Sequence, residues 1–186
     1  REYAGSNLVQ KLTGNLAETL IDPTLLFDSD FWRTYEKPPQ RMCKGRYAFC
    51  YFLGNASQLD KIYEICRNEE LIVIDILHDK KYLSLGPDEF IYLIHNAQKV
   101  FTDSYHGTIF SIIFHVPLIL CKREGTKINM NSRFETLFSK LGVYIKPLSS
   151  TMNDVQIDYI KVENNIVNER DIFENYLQKC LSEQSK

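Results

Sequence analysis

The sequence has few cysteines and none of the close cysteine pairs that mark metal sites or redox motifs. Its 186 residues contain five cysteines, and no two of them form a CxxC motif. An odd number of cysteines without metal-ligand spacing, in a chain of this size, indicates reduced thiols in a reducing compartment. We therefore interpret the cysteines as small hydrophobic residues and predict no metal site.

The sequence also lacks a large excess of charge of either sign, and it lacks long apolar runs. The chain has 22 basic and 24 acidic residues, which give a formal net charge of -2. This balance gives no electrostatic reason to expect a nucleic acid or an anionic membrane as partner. The longest apolar stretch, residues 108–121, is interrupted by Ser111, His115 and Pro117, whereas a membrane span needs about 20 apolar residues. We predict a cytoplasmic protein without a transmembrane segment, and leave open a peripheral position at the inner face of the membrane.

The hydrophobic pattern of residues 47–150 alternates strands with helices. Apolar runs typical of strands lie at 47–53, 71–77, 99–102, 118–121 and 143–145, with helical spacing between them. The unbroken apolar run at 71–77 is typical of a strand that is covered on both sides. Such alternation indicates βαβ units with right-handed crossovers. The sequence therefore predicts an α/β, doubly wound, mainly parallel Rossmann-like sheet with helices on both faces.

The two ends of the chain differ from this domain. Residues 1–46 resemble the remnant of a preceding domain followed by a polar, proline-bearing linker. Residues 151–186 read as a connecting segment and an amphipathic C-terminal helix over 168–181 that packs back on the domain. Because the chain begins at Arg1 without a methionine, we expect a missing N-terminal domain of the same protein.

The stretch from 99 to 121 contains the strongest candidate site. It joins a strand to a helix through a polar turn that contains Asp103, Ser104, His106, Gly107 and Thr108. Such a turn lies at the carboxyl end of a strand and the amino end of a helix, where N–H groups attract anions. We expect the Asp103 carboxylate to accept a hydrogen bond from the His106 imidazole, which then transfers protons. The alternative is that Asp103 or Ser104 only caps a buried helix and that His106 fills a position at the rim.

Two further loops belong to the same edge of the predicted sheet. Gly54 and Asn55 follow the first strand, and there a simple turn is as plausible as a phosphate-contacting loop. Arg123, Lys127 and Arg133 lie in or just after the polar loop that follows the fourth strand, and their side chains could meet a phosphate or carboxylate. Arg133 is the strongest candidate of the three. A cation in the first turn of a helix opposes the helix dipole, so its presence there needs another reason, such as ligand binding. A solvated loop remains the alternative.

The other histidines carry weaker signals. His78 follows a strand in a charged loop, and His95 and His115 lie near helix ends. We interpret all three as surface or capping residues.

Several of these segments resemble the polysaccharide pyruvyl transferase family. The run TDSYHGTIFSIIFHVPLI, the polar loop after it and SRFETLFSKLGV are similar to a family pattern. In that pattern a strand ends in an Asp-Arg/Ser-aromatic-His-Gly turn, and a later Ser-Arg helix leads to Leu-Gly. The opening REYAGSNLVQKLTG and the IDPTLLF turn also resemble the end of the family's amino-terminal half.

The resemblance implies an architecture and a reaction. Family members have two Rossmann-like domains that face a cleft, as in GT-B enzymes, so this chain would hold one half of such an enzyme. They transfer pyruvyl from phosphoenolpyruvate to a pair of sugar hydroxyls, which makes a cyclic ketal on a bacterial surface polysaccharide or its precursor. The implied partners are phosphoenolpyruvate, as co-substrate rather than cofactor, and a saccharide or lipid-linked saccharide acceptor.

The resemblance also assigns residues. His106 and Gly107 match the family histidine and glycine, and the resemblance implies that His106 is the acid or the phosphate contact, beside helix amides at Gly107 and Thr108. Ser104 stands where many members have an arginine. Another cation is then expected to bind the donor: Arg133, Arg123 or Lys127.

Two other functions fit the same fold. A GT-B nucleotide-sugar glycosyltransferase also places a His-Gly turn at this edge, and Glu124 could be its acidic residue. A non-catalytic module that binds sugars or nucleotides is the second alternative. We also expect that the isolated chain could be inactive as half of a cleft.

Overall fold

A computed structural model describes residues 2–42, 44–55, 57–125, 131–147, 149 and 151–183. The chain forms two compact units. The first, which we call the helical unit, comprises Arg1–Phe27, Ile128–Tyr144 and Ile157–Lys186. The second, the sheet unit, comprises Asp28–Lys127 and Ile145–Gln156. The three-part division at residues 46 and 150 stays a prediction.

The helices and strands have the following bounds. The α-helices are α1 Tyr3–Thr13, α2 Ser29–Arg33, α3 Leu59–Asn68, α4 Pro87–His95, α5 Tyr105–Ile113, α6 Asn131–Leu141 and α7 Tyr159–Glu183. The strands are β1 Tyr47–Tyr51, β2 Ile72–Asp75, β3 Lys99–Thr102, β4 Leu118–Cys121, β5 Tyr144–Pro147 and β6 Met152–Gln156. Short 3-10 turns lie at Pro23–Leu26 and Lys80–Tyr82.

The strands form an open sheet in the order β2-β1-β3-β4-β6-β5. β1 pairs in parallel with β2 and β3, and β3 pairs in parallel with β4. This arrangement confirms the predicted α/β, mainly parallel Rossmann-like fold. β6 departs from the prediction because it pairs antiparallel with β4. Its sequence MNDVQ buries only Met152 and Val155, and so lacks the continuous apolar run of the parallel strands.

The second strand lies at the end of the sheet. β2 has β1 as its neighbour on one side. Ile74 of β2 is buried, whereas Ile72 is 41% exposed. The predicted coverage of both faces therefore holds at Ile74 and not at Ile72, and the apolar run alone does not reveal the place of the strand in the sheet.

The sheet unit has an apolar core that includes Cys50, Cys66 and Cys121. Cys50, Cys66 and Cys121 are buried free thiols, and Cys180 is a free thiol on α7. Burial raises the pKa of Cys66 to about 11 and that of Cys121 to about 12. These thiols therefore stay protonated and pack as small apolar groups. Cys43 lies outside the described residues.

α7 is longer than the predicted helix over 168–181. It buries Val162 and Ile166 near its start, whereas Ile172, Leu177 and Leu181 on the predicted apolar side are 48%, 45% and 65% exposed. Within the described residues, no helix combines the length and the apolar character that a membrane crossing requires.

Candidate functional site

The candidate site lies where the direction of the sheet's connections reverses. β1 is paired with β2 on one side and with β3 on the other. The chain therefore leaves the carboxyl ends of β1 and β3 in opposite directions. Open α/β sheets bind ligands at such a switch point. The turn after β3 and the loop after β1 both belong to it.

Asp103 joins the two sides of the switch point. Its carboxylate is 1% exposed and lies directly after β3. Oδ1 accepts a hydrogen bond from the Leu53 N–H at 2.7 Å, and Oδ2 accepts one from the Gly54 N–H at 2.9 Å. The expected bond from Asp103 to the His106 imidazole is not formed among the described residues. Both carboxylate oxygens are instead bound by the loop after β1, so Asp103 positions the turn.

Arg123 brings a cation to the same place. Its Nη2 donates to the main-chain oxygen of Asp103 at 2.9 Å, and its Nε lies 3.4 Å from Asp103 Oδ2. The side chain is 15% exposed, and its buried Nε makes no hydrogen bond within the described part of the chain. The predicted cation of the loop after β4 is therefore held at the switch point by Asp103.

Gly54 and Asn55 hold two loops together. A Cβ on Gly54 would lie 2.4 Å from the main-chain oxygen of Glu124, so only glycine allows this approach. The Gly54 N–H is bound by Asp103, and the Asn55 N–H donates to the Glu124 oxygen at 3.0 Å. Both amides are occupied within the protein. The geometry therefore favours the turn over the phosphate-contacting loop.

Ser104 begins α5 as its N-cap. Its Oγ accepts a bond from the Gly107 N–H at 3.3 Å, and its main-chain oxygen accepts one from the Thr108 N–H at 3.0 Å. Both amides are bonded inside a buried turn, which does not favour the expected phosphate contacts. A Cβ on Gly107 would lie 2.8 Å from Thr102 Oγ1. This glycine therefore serves the packing of α5 on β3 rather than the approach of a ligand.

His106 is the exception in α5. The other eight residues of this helix are buried, whereas His106 is exposed in the first helical turn. Its described contact is an edge-on approach to the Tyr105 ring, with centroids 5.7 Å apart. An imidazole on an otherwise buried turn is available to a ligand.

The remaining predicted cations are Lys127 and Arg133. Lys127 lies outside the described residues. Arg133 belongs to the helical unit, in the first turn of α6, where its Nε lies 3.9 Å from Glu2 Oε1. A carboxylate partner within the same unit explains a cation at this position.

A second histidine turn follows β2, and the sequence pattern did not single it out. Asp75 is 4% exposed and accepts bonds from the N–H groups of Leu77 and His78, both at 3.2 Å. His78 Nδ1 lies 2.9 Å from Asp75 Oδ2. A carboxylate is an acceptor, so Nδ1 of the imidazole is the donor in this contact; in the neutral imidazole Nε2 then carries the lone pair. The signal was Asp-x-x-His at the end of a strand.

Tyr51 is a further residue that the pattern missed. It ends β1, and its main-chain oxygen accepts a bond from Thr102 Oγ1 at 2.6 Å. Burial and, to a smaller extent, the Asp103 carboxylate raise the pKa of the phenol, while Arg123 lowers it. The phenol therefore stays protonated as a hydrogen-bond donor close to the switch point.

Together these groups favour anion binding and proton transfer. Arg123 supplies charge, Tyr51 a neutral donor, and His106 an exposed acid or base. Among the described residues, no three His, Cys, Asp or Glu side chains form a group that could hold a metal ion.

Comparison with known proteins gives one match. The family model described as polysaccharide pyruvyl transferase matches residues 1–124 of the 186-residue chain. The matched range contains the turn after β3 and Arg123, and ends before Arg133. No curated protein and no solved structure matches the chain.

Proposed function

The chain belongs to the polysaccharide pyruvyl transferase family, a family of transferases, and from this premise we propose a specific reaction. The protein transfers pyruvyl from phosphoenolpyruvate to two hydroxyls of a saccharide and forms a cyclic ketal. The observation that carries the proposal is the pairing of a fixed cation, Arg123, with an exposed His106 on the turn that this cation contacts.

Arg123 binds the anionic donor in this proposal. Many family members carry an arginine at the position of Ser104, but here Ser104 is 3% exposed and caps α5. The Arg123 guanidinium is bonded to the carbonyl of Asp103, the residue directly before Ser104. A cation from the loop after β4 thus stands beside the turn and compensates for the missing one.

His106 acts as the acid. Its proton goes to the methylene carbon of phosphoenolpyruvate, which becomes a methyl group, and positive charge develops at the neighbouring carbon. The first acceptor hydroxyl oxygen bonds to that carbon and gives up its proton. The second hydroxyl oxygen then bonds to the same carbon, the bond from that carbon to the phosphate oxygen breaks, and the departing phosphate takes up the hydroxyl proton, which completes the ketal. A positioned acid of this kind accelerates such a step by about 10²–10⁴-fold.

His78 is the candidate base for the acceptor hydroxyl. Asp75 holds the imidazole through Nδ1, so Nε2 can accept a proton, and the His78 side chain is 45% exposed. The turn follows β2, which pairs with β1, so it lies at the same edge of the sheet as the switch point. The acceptor then lies between the His106 and His78 turns.

The acceptor is a saccharide or lipid-linked saccharide of a surface polysaccharide. Phosphoenolpyruvate is a cytoplasmic metabolite, so we place the reaction in the cytoplasm, at the inner face of the membrane when the acceptor carries a lipid. The proposal includes neither a nucleic acid nor a cofactor.

The test uses the full-length protein with phosphoenolpyruvate and saccharide acceptors. We expect phosphate release together with a new methyl signal of the ketal in proton NMR, and loss of both in His106→Ala. Consumption of a nucleotide sugar instead would support the glycosyltransferase alternative. The Glu124 carboxylate offers that alternative little support, because its Oε2 accepts a bond from the Ser57 hydroxyl at 2.5 Å. Binding of a sugar without turnover of either donor would support the non-catalytic module.

A further inference from the structure

A cavity separate from the switch point lies beside the turn after β2. Its volume is about 470 Å³, and its lining includes Arg41, Lys81 and Glu89. Small-molecule sites occupy roughly 300–1,000 Å³. The described residues that build the switch point are not among those that line this cavity.

The cavity lies at the ligand edge of the sheet. The 3-10 turn Lys80–Tyr82 connects the carboxyl end of β2 with the start of α4, and its Lys81 and Tyr82 line the cavity. Loops that leave the carboxyl ends of parallel strands meet at this edge. A molecule in the cavity is therefore on the same side of the sheet as His78 and His106.

Two cations define the chemistry of the cavity. Lys81 Nζ lies 3.1 Å from the Tyr82 hydroxyl and 4.8 Å from the centroid of the Tyr82 ring. Tyr82 is 4% exposed, so a buried ring fixes the ammonium group at the cavity wall. Arg41 is exposed and adds a planar guanidinium, which suits a phosphate.

The other polar groups suit hydroxyls. One oxygen of Glu89, Oε2, accepts a bond from the Gly86 N–H at 2.8 Å, which holds this carboxylate at the cavity wall. Gln40 and Ser84 add an amide and a hydroxyl to the lining. Two cations beside a carboxylate and neutral polar groups match a molecule that carries both a phosphate and several hydroxyls.

We propose that this cavity binds a saccharide that carries a phosphate. The binding stands on the cavity alone; only the role of this ligand as the acceptor rests on the proposed function. A free sugar phosphate and a lipid-diphosphate-linked saccharide share this chemistry.

The test is calorimetric titration of the full-length protein with glucose 1-phosphate. We expect Arg41→Ala and Lys81→Ala each to weaken binding about ten-fold, because each removes a charge-assisted contact. Lys80→Ala is the matched control, because Lys80 lies on the same turn but does not line the cavity. Its affinity should equal that of the wild type. Arg41→Glu is a second variant at an exposed position that does not endanger folding.

The Arg123→Gln variant identifies the site that is titrated. Unchanged affinity in this variant supports the cavity. Lost affinity in Arg123→Gln with normal affinity in Arg41→Ala would overturn the proposal, as would absence of binding to the wild type. Titration with a short-chain polyprenyl diphosphate saccharide separates the two sources: tighter binding than that of glucose 1-phosphate, still dependent on Arg41, identifies the lipid-linked form. Equal or weaker binding that depends on Arg41 identifies the free sugar phosphate.

Turnover of phosphoenolpyruvate is measured in the same preparations. Glucose 1-phosphate binding that depends on Arg41, without turnover, would reject the proposed reaction and keep the cavity. Turnover of phosphoenolpyruvate without binding of glucose 1-phosphate that depends on Arg41 would keep the proposed reaction and reject the cavity as a binding site.

Discussion

Two turns of this protein have the same Asp-x-x-His spacing, but the two aspartates make different hydrogen bonds. Asp75 and His78 are three residues apart after β2, and Asp103 and His106 are three residues apart after β3. In the first turn the aspartate holds its own histidine at 2.9 Å. In the second it binds the amides of the loop after β1 and leaves the histidine exposed.

The position of each strand explains the difference. β3 lies between β1 and β4, so loops approach Asp103 from both sides and supply the amides and Arg123. β2 is at the end of the sheet, with β1 on one side, so Asp75 bonds within its own turn. In the interior of the sheet, the aspartate of this motif therefore binds neighbouring loops. At the edge of the sheet, it binds the imidazole of its own turn.

Removal of the two aspartates is the strongest test of this comparison. Asp103→Ala leaves Arg123 without its buried partner and should cost about 3–5 kcal/mol of unfolding free energy. Asp75→Ala loses the hydrogen bonds to the Leu77 and His78 N–H groups but leaves no buried cation without a partner, and should cost about 1–3 kcal/mol. Urea unfolding of both variants measures the difference between the two losses of unfolding free energy. Equal losses would mean that Asp103 is no more of a support than Asp75.

The His106 side chain should matter to the reaction and not to stability. Because His106 is exposed, His106→Ala should keep the unfolding free energy within about 0.5 kcal/mol. Transfer from phosphoenolpyruvate should fall about 10³-fold, because the acid is lost. The matched control is His115→Asn: His115 has φ 55, which asparagine tolerates, and lies in the turn before β4 at the opposite edge. Normal turnover in His106→Ala would remove His106 from the mechanism.

His78 should have a smaller effect than His106. His78→Asn should lower kcat about 10²-fold, because the base for the acceptor hydroxyl is lost. The affinity for phosphoenolpyruvate should not change. Asp75→Asn should lower kcat in the same direction, because the carboxylate that holds His78 Nδ1 is lost. An unchanged kcat in His78→Asn would show that the edge turn is only structural.

The smallest effect concerns the start of α5. Ser104→Ala removes the N-cap bond to the Gly107 N–H and should cost about 1 kcal/mol in thermal or urea unfolding. Ser104→Thr keeps a capping hydroxyl and serves as control. A loss in Ser104→Ala as large as that in Asp103→Ala would mean that the cap, rather than the carboxylate, supports the turn.

The position of the candidate site could be predicted from the sequence because it follows from local signals. An apolar strand, a polar turn and an apolar helix over 99–121 indicate the carboxyl end of a strand, and the structure has β3 and α5 there. The bonds of Asp103 could not be predicted, because its partners Leu53 and Gly54 are about 50 residues earlier in the chain. Long-range partners depend on strand order, and periodicity carries no information about order.

The same limit explains the errors in the fold. The parallel strands are continuous apolar runs and were found, whereas β6 has an interrupted pattern and joins the sheet antiparallel. The exposure of Ile72 follows from the place of β2 at the end of the order. The pairing of β6 and the exposure of Ile72 both depend on strands that are distant in the sequence.

The position of β6 late in the sequence has a consequence for truncated fragments of the chain. The sheet unit is discontinuous: its first segment ends at Lys127, and β6 is supplied by Ile145–Gln156. A fragment of residues 28–127 would lack the strand that covers the free side of β4. The unpaired backbone of Leu118–Cys121, a fully apolar strand, would then be an open template for the strands of other molecules. Such a fragment should aggregate through this edge, whereas one that continues through residue 156 keeps β4 paired.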